Sequence, residues 1–554
     1  MDESQKDWRV TLLLVASVAV ALLLRIPNLS STPHWYWDEG YNMNYGWNLS
    51  HLRIQWFSIK YTFIPHPPLY FAVLAAMIKT FGYSLYAARL LNVLYSIITL
   101  LLIYLTASEV ADRRTGAIAS MLYAIYPAAA YWSRTAMINN QFSLLAMLSL
   151  YSLIAYARKG GRWWMLSCAS AVAATLTAYM GLSIVAALLL YMLVREPVKM
   201  RKASLILVTP LLLFTASMLL IRGSYFTEDM AYQLNRFHLL SIKKLAAIPV
   251  LILFAANYRR LKPFLTNLFD SEVELMFDSR EYFNEVFVPS CLLAINFLLA
   301  YKLVTPFSDD SVFSGGDYFW LGIIGLLFIG RFRVHVVLLY FLPLFITTIL
   351  LGRSDHMLMQ LYPFFAIGIA VLLVEYQKFL SRILSKWNIP SPAYVSILLL
   401  ASPFAFTAYH DASAFIIGGV LREEDVSSAF SAAGYVNSIA GDEDLVLTTS
   451  NLAGMINAKT NIITQAFVYE GRGIAYYRAN MTSDWFAYNT SIDRASYVVV
   501  PKGSLEWFEE LGYDDLYSKI DGWPRIYENR IYMVYANPVS HDPTAPEDKP
   551  SPKH

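Results

Sequence analysis

Apolar runs recur along this 554-residue chain, and nothing else in it constrains the fold so tightly. A bilayer core needs about 20 predominantly apolar residues per helix. Runs of suitable character fall near 10–26, 89–107, 115–132, 141–157, 163–179, 181–194, 204–221, 244–257, 287–304, 318–330, 334–351, 357–374 and 393–409. Hydrophobic residues make up 56% of the chain and charged residues 15%. Soluble domains carry about 45–50% apolar residues even with Gly counted. The expected fold class is therefore a polytopic α-helical membrane protein of thirteen transmembrane helices. The first run follows Lys6 and Arg9 and leads into Arg25-Ile26-Pro27 with no small-residue cleavage site. It reads as a retained helix and not as a signal peptide.

One further apolar segment, Leu69 to Phe81, decides the orientation of everything after it. If it lies along the outer surface, the cytoplasmic loops collect Lys6 and Arg9, Arg113 and Arg114, Arg158, Lys159 and Arg162, Arg195 to Lys202, Arg259 to Lys262, Arg331 and Arg333, and Lys378 to Lys386. If it spans, every basic cluster after the first moves outside, against the positive-inside bias. The segment is also short and carries Lys79. A surface helix is thus expected, with the N-terminus cytoplasmic, the C-terminus extracytoplasmic and the cell membrane as location. Lys243 and Lys244, at the outer end of the eighth run, are the main exception.

Character changes after His410. From Asp411 onward the chain has 11 Lys/Arg against 20 Asp/Glu, a net of −9, so the remainder carries +11. Leu445 to Thr449, Asn461 to Thr464 and Ser496 to Val500 read as short buried strands. Leu505 to Leu511 reads as a short amphipathic helix, and Arg525 to Tyr535 as a hairpin turning at Glu528-Asn529. The expected organisation is a membrane domain at 1–410 with a long first outer loop at 27–88, a soluble α/β domain at 411–540, and a disordered tail at 541–554. With a net charge of +2, nothing implies a nucleic-acid partner. Two cysteines, Cys168 and Cys291, provide neither a disulfide framework nor a zinc cluster.

The chemistry concentrates in the first outer loop, in the run His34-Trp35-Tyr36-Trp37-Asp38-Glu39-Gly40-Tyr41. Adjacent acids beyond a membrane helix have a plain explanation, a solvated loop or a pair neutralised by an arginine. The rings of Trp35, Trp37 and Tyr41 favour a second one. Such rings suit a membrane interface and build walls that stack on sugars, and a carboxylate among them is desolvated and suited to general-base work. His66-Pro67-Pro68-Leu69 is the next landmark, with His66 either a helix cap or part of a site. Arg89 follows; facing inward, it must pair with Asp38 or Glu39. Outer cations able to hold an anion are Arg134, Arg222, Arg236, His238, Lys243, Lys244, Arg353 and His356. Arg353 and Asp355 have the alternative of satisfying each other.

Asp38-Glu39, then His66-Pro67-Pro68-Leu69, then Arg89 resembles the protein O-mannosyltransferases and the aminoarabinose transferases that modify lipid A. These are C-type glycosyltransferases. The resemblance is good over about residues 10–200 and weaker beyond. It implies a polyprenyl or dolichyl phosphate sugar as donor, transfer on the extracytoplasmic face, and a protein, lipid or glycan acceptor among membrane lipids. It implies that Asp38 is the catalytic base, Glu39 its neighbour in the site, Arg89 the charge partner of the pair, and His66 part of the site-lining loop. The donor phosphate would fall to Arg134, Lys243, Lys244, Arg353 or His356. This chain departs from its relatives after the third span, where an acid often stands; here the residues are Arg134 to Asn140, ending in two amides. No metal is supported by that pattern.

Two other functions fit parts of the pattern. An oligosaccharyltransferase would be expected to carry a Trp-Trp-Asp-Tyr-Gly-like motif in its soluble part, and none is found in the soluble part of this chain. A lipid or sugar transporter would favour inverted repeats and midplane charges, whereas the acidic pair sits in a loop.

Overall fold

The computed structural model describes residues 3–33, 35–60, 67–236, 322, 325–326, 333–351, 355–386, 426–472, 477, 481–504 and 514–539. The runs expected near 244–257, 287–304, 318–330 and 393–409 lie wholly or largely outside these residues, as do His66, Lys243, Lys244 and Arg353. The same holds for Leu505 to Leu511 and for the tail.

The described membrane part consists of α1 (Glu3–Arg25), α2 (Trp37–Ser50), a short hairpin of β1 (Gln55–Trp56) and β2 (Ile59–Lys60), α3 (Leu69–Phe81), α4 (Leu85–Val110), α5 (Arg113–Ile125), α6 (Pro127–Ser133), α7 (Ile138–Lys159), α8 (Trp163–Thr177), α9 (Gly181–Arg195), α10 (Pro197–Arg222), α11 (Ser224–Arg236), α12 (Arg333–Leu351) and α13 (Tyr362–Lys386). Among the described residues, α1, α4, α7 and α10 are long and apolar enough to cross a membrane. On α1 and α10 several leucines point outward: Leu12, Leu23, Leu212, Leu213 and Leu220 are all exposed. Apolar surface on this scale is stable only against hydrocarbon or another protein face.

The run expected as one span at 115–132 is two helices. Pro127 has no N–H to give the Tyr123 carbonyl and starts α6 at its first position. The freed carbonyls of Tyr123 and Ala124 accept instead from the buried Arg25 guanidinium, at 3.1 and 2.8 Å. A basic side chain thus closes a broken helix end. The span expected from 357 begins at Tyr362, because Asp355–Leu358 forms a separate 3-10 turn. Between helices, Ser149 Oγ donates to the Ser167 carbonyl at 2.9 Å and hydrogen-bonds Tyr340 Oη at 3.0 Å, linking α7, α8 and α12. Such interhelical polar contacts tie helices where the hydrophobic effect between them is weak.

The C-terminal unit consists of α14 (Val426–Ile439), β3 (Leu445–Thr448), α15 (Ser450–Ala453), β4 (Lys459–Ile462), α16 (Ile463–Tyr469), β5 (Tyr497–Pro501), α17 (Asp514–Asp521), β6 (Arg525–Glu528) and β7 (Tyr532–Ala536). The sheet order is β4-β3-β5-β7-β6. The first three strands pair in parallel and the last two antiparallel. The second strand was expected at 461–464; the structure starts it at Lys459 and turns into α16 at Ile463. Apolar residues run continuously in β3 and β5 because both faces are covered. Leu445, Leu447, Val498 and Val500 pack toward Phe467, Ile520 and Trp523. Val446, Tyr497 and Val499 belong to a cluster that continues into Met43 and Tyr45 of α2 and Tyr70, Phe71 and Leu74 of α3. One apolar core therefore joins the sheet to α2 and α3.

Candidate active site

The acidic pair opens α2, in its first turn, where a helix N-terminus favours negative charge. Its two members have different surroundings. Glu39 is fully buried. Its carboxylate accepts Arg89 Nε at 2.9 Å and Arg89 Nη2 at 2.7 Å, the Ala136 amide at 2.7 Å, and the Tyr36 amide at 3.1 Å. Arg89 therefore pairs with the second acid, and its Nη1 donates to the Leu29 carbonyl at 3.1 Å. With both oxygens occupied, Glu39 has no lone pair left to take a proton from a substrate.

Asp38 is the available acid. Its side chain is 43% exposed, and among the described residues none donates a hydrogen bond to it. Protein nonetheless surrounds it on most sides, so solvent touches one face of the carboxylate without fully hydrating it. This desolvation, with the Glu39 charge adding to it, pushes its pKa up to about 6. At neutral pH it remains mostly ionised, close to the affinity that suits a general base.

His356 faces it, with Nε2 4.0 Å from Asp38 Oδ2. That separation is beyond hydrogen-bond range. The imidazole is packed between Tyr36, at 5.7 Å, and Trp132, at 5.5 Å between ring centroids. Burial holds its pKa down at about 4. A charged carboxylate nearby should raise a histidine; at 4.0 Å, the loss of hydration outweighs it. Burial thus disfavours the imidazolium form, the one that would offer a cation to a phosphate. Asn139 and Asn140 support this corner. Asn139 donates to the His356 carbonyl at 2.9 Å, and Asn140 to the Trp132 carbonyl at 3.2 Å.

Arg134 is also placed otherwise than expected. It is fully buried, and its N–H groups go to the carbonyls of Leu24, Pro27 and Thr32, at 2.8–3.1 Å, and to Thr32 Oγ1. It closes the C-terminal end of α1 and has no outward face for a donor. Of the aromatic residues, Trp35 is buried and stacks on Phe430 of α14. Tyr41 packs on Trp56 and Phe57. Trp37 is 38% exposed.

Arg222, at the end of α10, is 2% exposed. One nitrogen pairs with Asp229, while its Nε and Nη1 are buried without a hydrogen-bond partner among the described residues. Its charge bears on the hydroxyls of Tyr45 and Tyr179. Tyr45 lies seven residues after Asp38 on α2, so both share a helix face about 10 Å apart. Among the described residues, no group of three or more His, Cys, Asp or Glu is placed to hold a metal ion.

Residues 65–221 match the family described as dolichyl-phosphate-mannose-protein mannosyltransferase. The fold is that of known membrane glycosyltransferases. ArnT from Cupriavidus metallidurans, solved with undecaprenyl phosphate, is similar at 14% identity and TM-score 0.53, over 94% of this chain and 97% of that one. The archaeal oligosaccharyltransferase AglB from Archaeoglobus fulgidus, solved with an inhibitory peptide and a dolichol-phosphate, is similar at 14% identity and TM-score 0.57, over 92% of this chain and 70% of that one. The resemblance to the C-type glycosyltransferases holds. No curated protein matches the chain significantly in sequence.

Proposed function

We propose that the chain is an inverting glycosyltransferase that moves a sugar from a polyprenyl-phosphate donor to an acceptor hydroxyl at the extracytoplasmic face. The observation that carries this reading is the contrast within the acidic pair: Glu39 is locked by four hydrogen bonds, while Asp38 receives none among the described residues and is 43% exposed. Asp38 takes the acceptor's hydroxyl proton as that oxygen attacks the anomeric carbon. The carbon–oxygen bond to the phosphate breaks, and the lipid phosphate leaves with the electron pair. His356 stays neutral and limits hydration of the carboxylate.

The leaving phosphate needs charge-assisted donors. Arg222 is the described cation best suited, because two of its nitrogens are buried with no hydrogen-bond partner among the described residues. The match to proteins solved with undecaprenyl phosphate and dolichol-phosphate supports a lipid-linked donor. Transfer to a peptide amide is the second reading, favoured by a TM-score of 0.59 to the oligosaccharyltransferase in its apo form. The chain spans 97% of ArnT but 73% of that oligosaccharyltransferase, which favours the simpler transfer.

Purified protein in lipid, incubated with a panel of polyprenyl-phosphate sugars and native membrane extract, tests the reading by mass spectrometry. One donor should be consumed, with sugar appearing on an acceptor, and Asp38→Asn should abolish that consumption. Equal consumption by both proteins would overturn it.

A further inference from the structure

Helix α2 is a poor helix on its own merits. Its 14 residues, Trp-Asp-Glu-Gly-Tyr-Asn-Met-Asn-Tyr-Gly-Trp-Asn-Leu-Ser, include two glycines and three asparagines. Gly is the worst helix former after Pro and Asn is among the weaker residues, and isolated helices of this length are marginal even with good sequences. Tertiary contact must hold it, and the two glycines show where.

A Cβ at Gly46 would lie 2.9 Å from Leu74 Cγ of α3. A Cβ at Gly40 would lie 2.4 Å from the Ser450 carbonyl carbon and 2.5 Å from the Asn451 amide nitrogen. The backbone of α15, in the C-terminal unit, therefore rests directly on the backbone of α2, one residue beyond Glu39 and two beyond Asp38. Ser450 Oγ donates to the Trp37 carbonyl at 2.8 Å. The rest of the loop is fastened to the same unit. Gln465 Oε1 accepts from the Ser58 amide and hydroxyl at 3.2 and 3.0 Å, and its Nε2 donates to the Trp56 carbonyl at 3.2 Å. The Ala487 amide donates to the Ser58 carbonyl at 2.7 Å.

We infer that the C-terminal unit is a positioning element of the reaction centre, with Gly40 and Ser450 as the positioning residues that set the pitch of α2 and hence where Asp38 points. This inference rests on the reading of Asp38 as the base. Because it acts through Asp38, it should affect the chemical step and the titration of Asp38 while leaving donor binding intact.

The test uses the full-length protein in lipid with Gly40→Ala and Ser450→Ala. Hydrogen exchange of peptides covering residues 37–50 should speed up at least tenfold in Gly40→Ala and severalfold in Ser450→Ala, with exchange in α7 and α8 unchanged. Single-turnover transfer should fall tenfold or more in Gly40→Ala, with donor Kd unchanged. The pH midpoint of the rate should drop below about 6 as water gains access to Asp38. Should Gly40→Ala fail to fold, Ser450→Ala alone decides, since it removes one hydroxyl. Unchanged exchange across residues 37–50 in Ser450→Ala and any folded Gly40→Ala overturns the inference whatever the activity. If wild type transfers no sugar while exchange responds as expected, the structural coupling stands and the proposed function is what fails.

Discussion

Arg89 and Glu39 form a bidentate ion pair, 2.9 and 2.7 Å, with both side chains at 0% exposure. It fastens the start of α2 to α4 and occupies both carboxylate oxygens of Glu39. Removing one partner of such a buried pair leaves an uncompensated charge and typically costs about 3–5 kcal/mol. Arg89→Met should lower the thermal midpoint in detergent sharply, and the double variant Glu39→Gln/Arg89→Met should recover part of that loss. A double variant no more stable than Arg89→Met would mean the two residues do not act as a pair.

Asp38→Asn keeps shape and removes proton acceptance. Loss of a general base typically costs about 10²–10⁴ in rate, and single-turnover transfer should fall in that range with donor binding retained. Full transfer activity in folded Asp38→Asn would sink the mechanism.

The pH dependence follows from the raised pKa of Asp38. The reactive form is the anion, so transfer should rise as pH climbs through about 6 and level off above it. For stability the sign is opposite. A carboxyl whose pKa is raised on folding disfavours the folded state once it is ionised there, and this penalty develops as pH rises from its ordinary value of 3.8 to about 6. Asp38→Asn should therefore unfold at a slightly higher temperature than wild type at pH 7.5 and at an equal one at pH 4. A lower midpoint at pH 7.5 would show that the carboxylate is stabilised in the fold.

Arg222→Met should weaken donor binding about tenfold to hundredfold, the scale of one hydrogen bond to a charged group, about 1.5–3 kcal/mol. Isothermal titration with the lipid-linked sugar measures it. Unchanged binding would move the phosphate site to Lys243, Lys244 or Arg353.

Topology is open to direct labelling. Leu52, 91% exposed, and Glu443, whose side chain is 88% exposed, sit just after α2 and in the C-terminal unit. Cysteines placed at both should react with a membrane-impermeant maleimide in intact cells. Reaction of either only after permeabilisation would overturn the extracytoplasmic assignment.

Much of this was legible in the chain itself. The apolar runs, the 13-residue helix at Leu69–Phe81 and the buried strands followed from period and length, because burial of apolar side chains leaves a local pattern. Asp38, Glu39 and Arg89 stood out as charges beside membrane segments that needed partners. Pro127 was also in plain view, yet the apolar run around it hid the break that its missing N–H imposes.

What the residue order determined, then, is what each segment becomes and which groups are costly to bury: hydrophobicity, helix period and proline act over a few neighbours. Which acid is locked and which is open was decided only in three dimensions. Adjacent carboxylates look alike in a sequence, whereas Glu39 meets Arg89 and Ala136, 50 and 97 residues away, and Asp38 meets His356 across the bundle. The same holds for Gly40, which in sequence is a weak spot in a weak helix. Only the backbone of Ser450, 410 residues later, supplies the reason that no larger residue fits there.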